Sequence, residues 1–179
     1  MRILVDMDGV LADFERGFLE KYRKQYPDKP YVLLEERRNF QVKDDYSEEL
    51  QPLVKAIYQS PGFIRSLPPI AGGLEALCEM AVLGHDLFIC TSPLSQYDPC
   101  VVEKYHWVDE HLGRDWIKKI ILANDKTLIR GDILIDDKPE IKGLETPSWE
   151  HILYTQPYNQ HVPSKRRLTW QNWKEVLRV

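Results

Sequence analysis

An α/β fold built on a parallel sheet, with a helical insertion after the first strand, is what this chain predicts, and three observations predict it. Short apolar runs recur along the chain, and each stops at polar residues or a turn. Helical patterns alternate with these runs, which favours parallel strands joined by crossover helices. The gap between the first two runs is far longer than one crossover needs, so the first crossover carries an insertion, residues 14–67. Residues 1–13 and 68–179 then form the sheet-bearing core.

Ile3-Leu4-Val5 is the first strand, and it runs into Asp6-Met7-Asp8-Gly9. Asp13 to Tyr26 carries Phe14, Phe18, Leu19 and Tyr22 at helical spacing, and Pro27 and Pro30 end that helix. Residues 31–66 contain no pattern that reads as a sheet strand; a helix from Ser47 to Gln59 presents Leu50, Leu53, Val54 and Ile57. Pro61-Gly62 is a turn, and Pro68-Pro69 with Gly72-Gly73 marks a boundary. A helix over Leu74–Leu83 stops at Gly84. The second strand, Asp86–Thr91, ends in Thr91-Ser92-Pro93, and a helix over Val101–Leu112 follows, capped by Gly113. Ile117–Leu122 is a third strand leading to Asn124-Asp125-Lys126; Asp132–Ile135 is a fourth, ending in Asp136-Asp137; Ile152–Thr155 is a fifth. Residues 156–168 read as a loop whose Lys165-Arg166-Arg167 run is solvated. Thr169 is placed to N-cap a last helix with Trp170, Trp173, Val176 and Leu177 inward. Trp149, Trp170 and Trp173 read as packing anchors.

The bulk numbers remove several function classes. With 43% hydrophobic and 29% charged residues among 179, the chain is an ordinary globular domain rather than a disordered segment. A net charge of −4 gives no general electrostatic footprint for nucleic acid. No apolar run approaches a membrane span. The first strand begins almost at Met1, so no signal or transit peptide is expected, and the expected location is the cytoplasm; a mitochondrial form with its presequence removed would read the same. Cys78, Cys90 and Cys100 are odd in number and lack metal spacing, which fits a reducing compartment. His85, His106, His111, His151 and His161 form no cluster, so neither a zinc site nor a catalytic histidine is expected.

The chemistry collects at the strand ends. In a parallel sheet, Asp6, Asp8, Thr91, Ser92, Lys126, Asp136 and Asp137 all lie on one edge, where ligands of open α/β sheets bind. Four carboxylates in one basin repel unless a cation sits among them. Oxygen donors select a hard ion, and Mg²⁺ is the default where phosphate is also present. Lys126 is a point charge suited to phosphate. Thr91, Ser92 and the backbone N–H groups that follow make an anion seat.

Four such strand-end motifs in this order resemble the haloacid dehalogenase superfamily, which implies a Rossmann-like parallel sheet core. More closely, Asp6-Met7-Asp8-Gly9-Val10-Leu11-Ala12-Asp13-Phe14, Ile89-Cys90-Thr91-Ser92-Pro93-Leu94, Asp125-Lys126-Thr127, Leu134-Ile135-Asp136-Asp137-Lys138 and Thr146-Pro147-Ser148-Trp149-Glu150-His151 resemble the 5'(3')-deoxyribonucleotidases, and closer to the cytosolic type. The resemblance implies Mg²⁺-dependent hydrolysis of deoxyribonucleoside monophosphates, dUMP and dTMP favoured. It implies Asp6 as nucleophile, forming an aspartyl-phosphate, and Asp8 as general acid and then base. Thr91 and Lys126 offset the charge of the phosphoryl group. The ion is held by Asp6, Asp136 and the Asp8 carbonyl, with Asp137 behind them. Phe14, Phe40 and Tyr58 match positions that line the nucleobase pocket in relatives, although aromatics in such patterns are as readily core. Lys104 matches a lysine near the phosphate; on a helix it reads equally as a solvated charge. Asn124 departs from the arginine expected before the Asp-Lys pair. Relatives are homodimers, so a homodimer is expected. Two other readings share the residues: a phosphatase for another small phosphate monoester, and a non-catalytic phospho-receiver domain, which lacks a second acid such as Asp8 and a long insertion.

Overall fold

The computed structural model describes residues 1–94, 97–163 and 165–178. Ser95, Gln96, Ser164 and Val179 lie outside this set, so the 156–168 segment and the end of the core are described without Ser164 and Val179.

Among the described residues one sheet has six strands, all parallel to their neighbours, in the order β3-β2-β1-β4-β5-β6. The strands are β1 (Arg2–Val5), β2 (Asp86–Thr91), β3 (Ile120–Leu122), β4 (Ile133–Asp136), β5 (Glu150–Tyr154) and β6 (Arg167–Leu168). β1 lies inside the sheet, and Ile3, Leu4 and Val5 are fully buried, as a strand covered on both faces requires. Its neighbours β2 and β4 pair it in register, Val5 opposite Ile89 and Ile135. The carboxyl ends of β1, β2 and β4 therefore lie side by side.

The helices follow the apolar periodicity: α1 (Phe14–Gln25), α2 (Gln51–Tyr58), α3 (Gly73–Val82), α4 (Cys100–Leu112) and α5 (Trp173–Leu177). α1 starts where Asp13 accepts the Arg16 N–H at 3.1 Å. α2 begins later than expected, because Pro52 occupies the first turn and suits a helix start. The expected helix cap at Thr169 is a correction. Asn172 precedes α5, and its side chain accepts the Thr169 N–H at 2.8 Å, so Thr169 is the residue held rather than the cap. A second correction concerns the third strand, of which only Ile120–Leu122 is extended; Arg114–Lys119 winds as a 3-10 turn. Ile117 and Ile120 are three apart, a spacing that puts both on one side of a 3-10 turn but on opposite faces of a strand. A third is β6, formed inside a segment expected to be loop. The basic run there is solvated only in part: Arg166 is exposed, but Lys165 bonds His151 Nδ1 at 2.6 Å and the Pro139 carbonyl at 2.9 Å, and Arg167 bonds the carbonyls of Asn159 (2.6 Å) and Val162 (2.7 Å).

Between β1 and α3 the chain holds α1, two 3-10 turns (Leu34–Glu36 and Val42–Asp45) and α2, with no sheet strand among the described residues. Its entry and exit run together: Asp13 N–H bonds the Pro68 carbonyl and Ile70 N–H bonds the Leu11 carbonyl, both at 2.7 Å. α4 grips the exit. Glu103 accepts N–H groups of Gly62, Ile64 and Arg65 at 2.7, 3.0 and 3.3 Å, and buried Trp107 donates to the Leu67 carbonyl at 2.8 Å. Inside the insertion, buried Arg37 bonds both Glu15 carboxylate oxygens, at 2.6 and 3.0 Å, and also Asp45. Burial pushes the Glu15 carboxyl up, and the Arg37 bond opposes the shift. Truncating one member of a buried charge cluster strands the others, at about 3–5 kcal/mol. Arg37→Ala is therefore expected to lower the unfolding free energy in urea by about 3–5 kcal/mol; a loss below ~1 kcal/mol, the range of an exposed pair, would contradict the role given to this cluster.

Candidate active site

The loop after β1 sets the first two acids. The Met7 carbonyl accepts N–H groups from Leu11 (2.8 Å) and Ala12 (2.9 Å), which turns the chain sharply back. Met7 itself is buried, while Asp6 and Asp8 face the sheet edge. Gly9 has φ +78°, a conformation L side chains rarely adopt, and a Cβ there would sit 2.2 Å from Asp137 Oδ2. Glycine thus lets the β1 loop close onto the β4 loop.

Lys126, carried past β3 on a 3-10 turn, points between these loops. Its ammonium lies 2.8 Å from Asp6 Oδ1 and 2.6 Å from Asp136 Oδ2. Burial opposes that charge, but the two carboxylates outweigh it and hold the Lys126 pKa above its usual value. Burial, with Asp136 adding repulsion, raises Asp6, and burial with repulsion from Asp136 and Asp6 raises Asp137 well above the ordinary range. Asp8 faces the other way. Its Oδ2 accepts from Lys104 at 2.5 Å, and Lys104 also donates to Thr91 Oγ1 at 2.8 Å. Lys104 is fully buried, which settles the two readings of this helix residue against a solvated charge. Asp8 Oδ1 is buried with no hydrogen-bond partner among the described residues.

The acids and bases open on a cavity of about 280 Å³, lined at the sheet edge by Asp6, Asp8, Thr91, Ser92, Asn124, Lys126, Asp136 and Asp137. Phe14, Glu15, Phe40, Gln41, Val42 and Tyr58 line it from the insertion. Phe14 stacks its edge on Phe63 at 5.3 Å and lies 6.0 Å from Tyr58, so it belongs to both core and cavity wall. Phe40 is more than a third exposed. The Ser92 hydroxyl is taken up by the Ala123 carbonyl at 2.7 Å, leaving its backbone as the part free to face an anion. Asn124 lines the cavity where an arginine was expected.

The residues fit a hard dication. Asp6, Asp136 and Asp137 each offer a carboxylate oxygen, all within 4.8 Å of one another. The donor set is oxygen only, and at the sheet edge Asp6, Asp8, Asp136 and Asp137 outnumber the ammonium groups bonded to them, Lys104 and Lys126. Asp137, expected behind the ligands, has a carboxylate oxygen within the same cluster as Asp6 and Asp136.

Several residues that shape the site carried no motif. Tyr158 donates its hydroxyl to Asp137 Oδ2, Asn159 donates to the Asp137 carbonyl at 2.8 Å, and Gln156 donates to the Gly9 carbonyl at 2.7 Å. The signal that would have found them is position: they follow β5 on the edge where the earlier strand ends place their polar residues. His151 has no place in the cavity lining; its Nε2 lies 3.2 Å from the Asp136 carbonyl, and burial beside Lys165 lowers its pKa to about 4. Trp149 and Trp170 anchor loops as expected, with indole N–H bonds to the carbonyls of Lys126 (3.3 Å) and Val10 (2.7 Å).

Comparison with known proteins agrees with this geometry. A family model described as 5' nucleotidase, deoxy (pyrimidine), cytosolic type C protein matches residues 1–179. The human 5'(3')-deoxyribonucleotidase, cytosolic type, is 50% identical, covering 99% of this chain and 93% of its own. The human mitochondrial 5'(3')-deoxyribonucleotidase is 48% identical, covering 99% and 82%. A HAD (haloacid dehalogenase) family hydrolase from Deinococcus radiodurans, crystallised with phosphate and sodium, superposes with a TM-score of 0.61 at 13% identity, over 98% of this chain and 94% of that one, which shows a shared fold. With the whole length matched and half the residues identical to the human cytosolic enzyme, the chain belongs to the deoxy (pyrimidine), cytosolic type C family of 5' nucleotidases, on a haloacid dehalogenase fold.

Proposed function

We propose that this chain is a Mg²⁺-dependent 5'(3')-deoxyribonucleotidase that hydrolyses deoxyribonucleoside monophosphates, dUMP and dTMP foremost, to nucleoside and phosphate. The observation that carries the reading is the convergence of Asp6, Asp8, Thr91 and Lys126 on a cavity whose far wall carries three aromatic rings, with Lys104 buried behind Asp8 and Thr91 and bonded to both. Residues 14–67 act as a cap over a core of residues 1–13 and 68–179. The free cysteines and the cytosolic-type relative support a cytoplasmic location, and the family resemblance supports a homodimer.

Asp6 attacks phosphorus, so a P–O bond to its carboxylate forms as the bond to the nucleoside oxygen breaks. Asp8 gives that oxygen its proton, and Asp8 Oδ1, which has no hydrogen-bond partner among the described residues, is suited to carry it. A phosphate seated at Thr91 competes with Asp8 for Lys104, whose ammonium already bonds both residues. Lys126 and Lys104 offset the charge that spreads over the phosphoryl oxygens. Water then cleaves the aspartyl-phosphate, its proton passing to the Asp8 carboxylate, and Asp6 is restored. Asp6, Asp136 and the Asp8 carbonyl, with Asp137 beside them, would hold Mg²⁺, which neutralises and orients the phosphoryl group when bound.

Asp6→Asn is expected to abolish turnover, since an amide is a poor nucleophile; phosphate release within tenfold of wild type would remove Asp6 from that role. Chelation is expected to stop turnover, with Mg²⁺ restoring it and Ca²⁺ failing to, because the looser calcium shell misplaces the reacting carboxylate. Asp8→Asn should lose about 10²–10⁴ in kcat on a nucleotide and less on a nitrophenyl phosphate, whose leaving group needs no proton; equal losses on both would assign Asp8 to structure. The wall carrying Phe14 and Phe40 offers a 2'-hydroxyl few polar partners, and a largely apolar pocket rejects an added hydroxyl by about 10² at best. Wild type should therefore favour dUMP over UMP in kcat/KM by roughly ten- to a hundredfold, and Phe40→Ala should narrow the gap. Equal hydrolysis of the two by wild type would replace this reading with a broader phosphatase.

A further inference from the structure

The turn after β5, Pro157–Asn159, joins parts of the molecule that are distant in sequence. Just before it, Gln156 reaches the loop after β1 through the Gly9 carbonyl (2.7 Å), while Asn159 reaches the loop after β4 through the Asp137 carbonyl (2.8 Å). Asn159 is fully buried, and its Nδ2 also donates to the Tyr154 carbonyl at 2.8 Å, while its Oδ1 accepts from Gln156 N–H and Arg167, both at 3.1 Å. The turn is thus pinned by a side chain whose amide is satisfied at both ends.

Tyr158 stands at the middle of this turn, almost wholly buried. Its hydroxyl donates to Asp137 Oδ2, the same oxygen that only a glycine at position 9 can approach. Its ring meets the insertion: the Arg37 guanidinium lies 5.3 Å from the ring centroid, and the Phe40 ring is edge-on at 6.0 Å. Arg37 is itself fixed by Glu15 and Asp45, so this contact is with a rigid part of the insertion. Phe40 borders the cavity.

We infer that Tyr158 is a positioning residue with two separable parts: its hydroxyl fixes the Asp137 carboxylate within the oxygen cluster, and its ring seats the segment of the insertion that carries Phe40. One side chain then ties the wall that meets the base to the acid that serves the metal. The inference rests on the proposed function for its substrate, but not for its metal readout.

The test compares wild type, Tyr158→Phe and Tyr158→Leu in three measurements: Mg²⁺ affinity by calorimetric titration, kcat and KM on dUMP, and the urea midpoint. Tyr158→Phe keeps the ring and removes the donor. Its Mg²⁺ affinity and kcat are expected to fall by about tenfold, the low end for a residue that orients a metal ligand, with KM within about twofold. Tyr158→Leu should show the same loss in affinity and, with the ring gone, a several-fold higher KM. A fall in urea midpoint without change in Mg²⁺ affinity would assign Tyr158 to packing alone and overturn the inference, as would a Tyr158→Phe variant whose Mg²⁺ affinity stays within about twofold of wild type. A wild type that binds Mg²⁺ yet releases no phosphate from dUMP would refute the proposed function, while the affinities of the three proteins would still decide the part played by the hydroxyl.

Discussion

Everything at the sheet edge depends on Lys126 lying between Asp6 and Asp136. Strands buried on both faces bring two acid-bearing loops together, and the carboxylates repel at short range in a poorly solvated basin. One buried ammonium, 2.8 Å from one acid and 2.6 Å from the other, offsets part of that repulsion. A surplus of negative charge remains, and the surplus is what makes the place attractive to a dication. The same arrangement that threatens stability therefore defines the binding chemistry. Lys104 does the equivalent for Asp8 from the opposite side, so each acid of the β1 loop has its own cation.

Sheet and acids were legible because each signal is local. An apolar run followed by Asp-x-Asp-Gly or Asp-Asp needs no knowledge of the rest of the chain, and alternation of strands and helices then puts the ends together. Lys104 was ambiguous for a physical reason: it sits on a helix, and nothing in its neighbours says whether the helix turns that face to water or to Asp8. Tyr158 and Asn159 were silent because their partners are a distant side chain and a carbonyl, and the turn that holds them looks like any proline-containing loop. The third strand is shorter than expected because an apolar run reads as extended, although the three-residue spacing of Ile117 and Ile120 suits a 3-10 turn.

α4 deserves comparison with the sheet as an organiser. Glu103 holds the returning end of the insertion by three backbone N–H groups, Lys104 reaches the site, and Trp107 bonds Leu67. Neighbouring residues on one helix thus hold both the insertion and the chemistry. A shift of α4 would move the Asp8 partner and the insertion's anchor together, so its burial keeps the two in step.

The paired entry and exit of the insertion have an evolutionary meaning. Leu11 and Asp13 meet Ile70 and Pro68 through two short backbone bonds, so the sheet sees a closed neck whatever lies beyond it. Loop closure depends only weakly on length, each doubling adding about 0.6 kcal/mol. Segments of different size can therefore be closed at this neck at little cost in loop entropy. Length can drift at this neck, while the positions that meet Glu103, Trp107 and Tyr158 are held to the core.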